Sequence, residues 1–173
     1  ERIFGAGITS GCKINPLRYC PTRSVTRLEM AVFLEKSARG SEFAPPPSTG
    51  KIFLDINSLV WYSNWVEQLY NDNITQGCST NPPLYCPNAP VTRAQMAIFL
   101  IKTKYLGENY SPPDVGSDTG FIDVRPTDPA APYIKQLALE GVTTGCGDGK
   151  YCPTDPVTRE QMAAFLVRMF LDP

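Results

Sequence analysis

The apolar positions of the chain fall into three similar stretches. Met30, Phe33 and Leu34, then Met96, Phe99 and Leu100, then Met162, Phe165 and Leu166 recur at an interval of 66 residues. Within each set the three- and four-residue spacing marks one face of a helix. Each stretch opens on the same tripeptide: Val25-Thr26-Arg27, Val91-Thr92-Arg93 and Val157-Thr158-Arg159. The Thr hydroxyl can accept from the N–H three residues on, and Glu29, Gln95 or Gln161 at that place can reach back to the Thr N–H. This is a capping box, so a helix is predicted to begin at each. An earlier helix is predicted in copy two by Trp65, Val66 and Leu69 and in copy three by Tyr133, Ile134 and Leu137. Asn73 and Gly141 close it, and Gly7 holds the matching place in copy one. Phe53-Leu54-Asp55 and Phe121-Ile122-Asp123 lead into these helices as short extended segments, with no counterpart in copy one.

Between the two helices of each copy lies a loop with fixed landmarks. Ile8-Thr9-Ser10-Gly11-Cys12 returns as Ile74-Thr75-Gln76-Gly77-Cys78 and as Val142-Thr143-Thr144-Gly145-Cys146. Downstream come Tyr19-Cys20-Pro21, Tyr85-Cys86-Pro87 and Tyr151-Cys152-Pro153. The repeat divides the chain into an incomplete copy at 1–39, a complete one at 51–106 and another at 121–173. The joining stretches, 40–50 with Pro45-Pro46-Pro47 and 107–120 with Pro112-Pro113, read as linkers of restricted conformation. Ser48, Thr49, Ser117 and Thr119 are candidates for O-linked sugar, and Asn73-Ile74-Thr75 and Asn109-Tyr110-Ser111 match the N-glycan acceptor pattern, chance being the competing explanation.

The six cysteines fall one pair to a copy, so equivalent loops are expected to close in equivalent ways: Cys12–Cys20, Cys78–Cys86 and Cys146–Cys152. Zinc is disfavoured, since two thiolates per copy and no histidine leave a tetrahedral site half filled. Short loops stapled by disulfides place the protein outside the cytoplasm. With 16 basic and 17 acidic residues there is no overall positive field to collect nucleic acid. No apolar run is long enough to span a bilayer and no leader precedes Glu1, which suggests a processed product. The absence of histidine removes Ser-His-Asp and Cys-His catalysis, and no phosphate-binding glycine loop or carboxylate pair suggests an enzyme. Asp55, Asp123 and Asp148 are not arranged as a calcium loop and read as turn or cap residues. No metal or cofactor is expected.

In order, Phe-x-Asp, an aromatic-led helix, Gly-Val/Ile-Thr-x-Gly, a loop ending aromatic-x-Pro, and Val-Thr-Arg-x-Glu/Gln before an apolar helix resemble the S-layer homology module. The match runs over Phe53–Leu106 and Phe121–Leu171, and over Ile3–Ala38 in copy one. The resemblance implies an all-α fold of three helix-loop-helix modules set as a three-pronged pseudo-trimer around a central bundle. It also implies grooves that bind cell-envelope polysaccharide or peptidoglycan, anchoring a surface layer or surface protein without catalysis. In such modules the Arg of the Thr-Arg motif lines the groove, which here means Arg27, Arg93 and Arg159. Gln95 and Gln161 depart from the usual Glu, and the cysteine pairs are not general to the family, so the ligand can differ.

Each feature has a plainer account. The arginines are also helix-start residues that could pair with a carboxylate; Trp65 and Tyr133 sit in register with core positions, and Trp61 is open between sugar stacking and packing. The alternative function is a subunit that assembles with other copies of itself into a lattice, sheath or filament. It rests on copy one, whose shortened first helix is expected to leave Met30, Phe33 and Leu34 uncovered for another chain.

Overall fold

A computed structural model describes residues 2–106, 108 and 110–172. The acceptor Asn109, the linker's Gly107 and the start at Glu1 lie outside the described residues. The helices are α1 (Arg2–Gly5), α2 (Arg27–Arg39), α3 (Ser63–Asn71), α4 (Arg93–Lys104), α5 (Ala131–Leu139) and α6 (Arg159–Leu166), which continues into a π-helical turn, Val167–Leu171. Among the described residues no helix is long and apolar enough to cross a membrane.

Local sequence accounts for the helix ends. Thr26, Thr92 and Thr158 each complete the capping box with Glu29, Gln95 and Gln161. At the other end of the earlier helices, Gly7, Asn73 and Gly141 take φ of 70°, 57° and 70°. A cation from the neighbouring long helix reaches each end. Lys36 Nζ donates to Gly7 O at 3.2 Å, Lys102 Nζ to Asn73 O at 3.0 Å, and Arg168 Nη1 to Val142 O at 3.0 Å. Positive charge there sits just beyond the C-terminal end of each helix, where the helix dipole favours it.

The fold is mostly helical. A two-stranded antiparallel ladder, β1 (Ser79–Thr80) with β2 (Pro83–Leu84), adds a small hairpin inside the copy-two loop that the all-α reading does not contain. The segments expected to be extended before α3 and α5 are turns instead, closed by Ile56 N–H to Phe53 O at 3.2 Å and Val124 N–H to Phe121 O at 3.3 Å. Their hold on the loop comes largely from one side chain rather than from a strand ladder. Asp55 accepts from Tyr85 N–H and Cys86 N–H at 2.8 and 2.7 Å, and Asp123 from Tyr151 N–H and Cys152 N–H at 2.7 and 2.8 Å.

Contacts between copies run in a closed cycle. Val25 N–H donates to Val157 O at 2.8 Å, Val157 N–H to Val91 O at 2.9 Å, and Val91 N–H to Val25 O at 3.0 Å. Helices pair across copies as well: α2 packs on α3, α4 on α5, and α2 on α4. This corrects the expectation for copy one. Met30, Phe33 and Leu34 are buried, and the helices that pack on α2 are α3 and α4 of copy two, with Arg159 of copy three over the Phe33 ring. The short α1 lies against the end of the chain instead, where Arg2 forms an ion pair with Asp172.

The bridges Cys12–Cys20, Cys78–Cys86 and Cys146–Cys152 join each loop to itself. A loop this short contributes on the order of 2–3 kcal/mol in the chain-entropy account.

Candidate functional site

The three helix-start arginines hold the copies together. Arg27 Nε donates to Tyr85 O at 2.7 Å, Arg93 Nε to Tyr151 O at 2.6 Å, and Arg159 Nε to Tyr19 O at 2.8 Å. Each tyrosine answers: Tyr85 OH donates to Arg27 O at 2.7 Å, Tyr151 OH to Arg93 O at 2.9 Å, and Tyr19 OH to Arg159 O at 2.7 Å. The guanidinium also lies over the same ring, 4.9, 4.7 and 4.9 Å from its centroid. The arginines are therefore buried, at 3%, 4% and 1% exposure, where the sequence reading sets them along open grooves. Burial pushes the Tyr85 and Tyr151 hydroxyls well above their ordinary titration range, so they stay protonated donors.

The three are not electrostatically equal. Arg159 Nη1 meets the Glu29 carboxylate at 2.8 Å, and Glu29 also pairs with Arg23. Position 29 is Glu in copy one and Gln in the others, so among the described residues only Arg159 of the three forms an ion pair. Arg93 Nη2 is buried with no hydrogen-bond partner among the described residues.

Arg159 opens onto a groove of about 820 Å³ between copies one and two. The Gly7–Cys12 loop and α2 form one wall, with Lys36 and Phe33; Trp61 and Trp65 come from copy two, and Arg23 and Glu29 stand beside Arg159. Trp61 is 69% exposed, held edge-on by Tyr62 at 5.6 Å. Trp65 is partly buried, with Lys36 Nζ 5.8 Å from its ring centroid. Apolar faces with cations at the edge can stack a sugar ring and hold an acidic substituent. Tyr133, the counterpart of Trp65, packs against the core.

Of the residues assigned to glycan in the sequence, Trp61 and Arg159 are brought together here; Arg27 and Arg93 belong to the other two inter-copy contacts. Arg23 and Lys36 were missed. Arg23 aligns with Ala89 and Asp155, so a comparison of repeats passes over it, while Lys36 aligns with Lys102 and Arg168, and that recurring cation was a readable signal.

Residues 120–163 match the S-layer homology domain family. The chain carries an S-layer homology domain. An endoglucanase of Bacillus sp. (strain KSM-635) is 31% identical over 118 residues, 68% of this chain and 12% of that protein. A cell surface protein of Thermoanaerobacter kivui is 32% identical over 117 residues, 67% of this chain and 15% of that protein. An amylopullulanase of Thermoanaerobacterium thermosulfurigenes is 26% identical over 149 residues, covering 86% of this chain and 8% of that protein. The chain thus spans a small part of the length of these relatives. The S-layer homology domain and the three disulfides support a location at the cell surface or outside the cell.

Proposed function

We propose that all three copies are S-layer homology modules, closed into a three-pronged pseudo-trimer, and that the chain is a non-catalytic anchor to cell-envelope polysaccharide or peptidoglycan. The observation that carries the reading is the groove holding exposed Trp61 beside Trp65, Arg23, Lys36 and Arg159. Trp61 stacks on a sugar ring, Arg23 and Lys36 meet an acidic group, and Arg159 contributes field and shape from behind Glu29. Arg27 and Arg93 shape the two equivalent inter-copy positions. The cyclic hydrogen bonds through Val25, Val91 and Val157 support the pseudo-trimer, and the cell surface protein relative supports the anchoring role.

Binding to purified cell-wall sacculi tests this. Trp61→Ala and the double variant Arg23→Ala, Lys36→Ala are each expected to fold normally and to weaken binding roughly tenfold, about 1.4 kcal/mol. Unchanged binding by both would remove the groove from the mechanism. The buried arginines are poor probes of binding, because Arg→Ala there also deletes the contact between copies.

A further inference from the structure

The stretch 40–50 reads in the sequence as a linker, yet it is tied to the wall of the groove at both of its ends. Its second half lies along α3. Ser48 N–H donates to Asn64 Oδ1 at 2.9 Å, and Thr49 N–H and Gly50 N–H donate to the two oxygens of Glu67 at 2.6 and 2.7 Å. Glu67 is 5% exposed, so these backbone donors are what satisfies its carboxylate. Asn64 and Glu67 stand on either side of Trp65 in the chain.

The first half meets Trp65 itself. The Phe43 ring packs edge-on against the Trp65 ring, with centroids 6.1 Å apart and planes at 78°, an arrangement that the ring quadrupoles favour. Arg39, the last residue of α2, lies over Phe43 at 4.9 Å and is itself held by Glu35 at 3.0 Å and Asp72 at 2.6 Å. Between the two points of attachment Pro45-Pro46-Pro47 fixes φ at three successive residues, which leaves the segment little freedom to lift away from α3.

The counterpart in copy three is built otherwise. Lys135, aligned with Glu67, donates to Asp118 O at 2.6 Å and Val115 O at 3.3 Å, so the second linker is held by its carbonyls. Its one aromatic residue, Tyr110, stacks on Tyr105 at 3.8 Å, away from Tyr133, the counterpart of Trp65. The aromatic prop from a linker belongs to the groove that holds Trp61 and Trp65.

We propose that Phe43 is a positioning residue of this groove: it fixes the Trp65 ring in the wall before a sugar arrives, and Arg39 and Glu67 hold the linker that carries it. The proposal rests on the groove reading above. A side chain on a groove wall has several rotamers within reach, and one already held by a neighbouring ring loses less freedom on binding.

Trp61 and Trp65 are the two tryptophans of the chain, so in Trp61→Phe protein the tryptophan bands of the near-ultraviolet circular dichroism report Trp65 alone. Phe43→Ala in that background should weaken these bands while the helical signal is retained, and Phe43→Tyr should keep them. With both tryptophans present, Phe43→Ala should weaken binding to purified sacculi about three- to tenfold. In a Trp65→Ala background the same change should add nothing further. Trp65 bands indifferent to Phe43→Ala overturn the proposal. So does a Phe43→Ala loss that persists in full without Trp65, or binding untouched by Phe43→Ala where Trp61→Ala weakens it. If Phe43→Ala does not fold, Phe43→Leu, which keeps apolar bulk without the ring, is read in the same way. Sacculi binding unchanged by Trp61→Ala strikes the groove reading alone, and Trp65 bands that still depend on Phe43 then uphold the positioning.

Discussion

The junction of α2 with α3 and that of α4 with α5 occupy equivalent places and are held in different ways. At the first, Glu35 is 0% exposed, Arg39 Nε reaches its Oε2 at 3.0 Å, and Arg39 Nη2 reaches Asp72 at 2.6 Å. Arg39 also covers the Phe43 ring at 4.9 Å. At the second, the aligned residues are Ile101, Tyr105 and Glu140: Ile101 is wholly buried, and Glu140 accepts from Tyr105 OH at 2.9 Å, Lys104 at 2.8 Å and Gln136 at 2.8 Å. One junction buries a carboxyl, the other a hydrocarbon. Burial acts on both carboxyls of the network in the same sense, yet with opposite results. For Glu140 the bonds from Lys104, Gln136 and Tyr105 outweigh desolvation and hold it below its ordinary range. For Glu35 desolvation and then the Asp72 charge win over Arg39, and its carboxyl rises to about 7, with Oε1 unpartnered among the described residues. At this place in the repeat a buried acid stands where an arginine lies one turn on, and a hydrocarbon where a tyrosine does.

The comparison breaks most sharply if the acid is moved. Ile101→Glu would place a carboxyl beside Tyr105 and Glu140 with no cation in Arg39's position, leaving a buried charge uncompensated. A loss of about 3–5 kcal/mol is expected at pH 7 by urea unfolding, and the double variant Ile101→Glu, Tyr105→Arg should recover part of it. A loss below about 1 kcal/mol would show that the second junction admits water and that the comparison is wrong.

Removing the acid where it stands tests the first junction. Because the folded Glu35 carboxyl titrates above its unfolded value of 4.5, its contribution is fully present below about pH 4.5 and is lost as pH rises through about 7. Between those values the wild type should lose on the order of 3 kcal/mol that Glu35→Gln keeps, so the variant's denaturation midpoint should fall less than the wild type's between pH 5 and pH 8. Parallel midpoints for the two proteins at pH 5 and pH 8 would mean that Glu35 ionises normally.

How much of this could be read in the sequence depends on how local the cause is. The capping boxes at Thr26, Thr92 and Thr158 and the left-handed Asn73 and Gly141 are set by residues within a turn of each other, and all of them form. The within-copy bridges followed from the repeat alone. Partner choice did not follow, since the spacing of Met30, Phe33 and Leu34 marks the face to be buried and not that α2 packs with helices of the next copy. The partners of the arginines were hidden for the same reason. Thr-Arg-x-Glu fixes Arg27 at a helix start, but its burial comes from a carbonyl and ring at Tyr85, 58 residues away. The tyrosine of the recurring Tyr-Cys-Pro is the other half of that contact. Glu35 is legible in the repeat: aligned with Ile101 and Val167, it is a charge in an apolar column.

The smallest effect is expected at the edge of the second junction. Lys104 pairs with Glu140 at 2.8 Å, but its side chain is 33% exposed while that of Glu140 is 11% exposed. An ion pair open to water on one side gains little from Coulomb attraction and is screened by salt. The carboxylate, moreover, keeps Tyr105 OH and Gln136 Nε2 after Lys104 is gone, so no buried acceptor is orphaned. Lys104→Ala should therefore cost less than about 1 kcal/mol in urea unfolding at low ionic strength, and nearly nothing at high salt. Arg39→Ala, measured beside it, should cost more at pH 8, because it leaves Glu35 and Asp72 facing each other at a buried place without the cation they share. If the two variants lose the same stability and show the same salt dependence, the two junctions are held alike and burial of Glu35 has no energetic consequence.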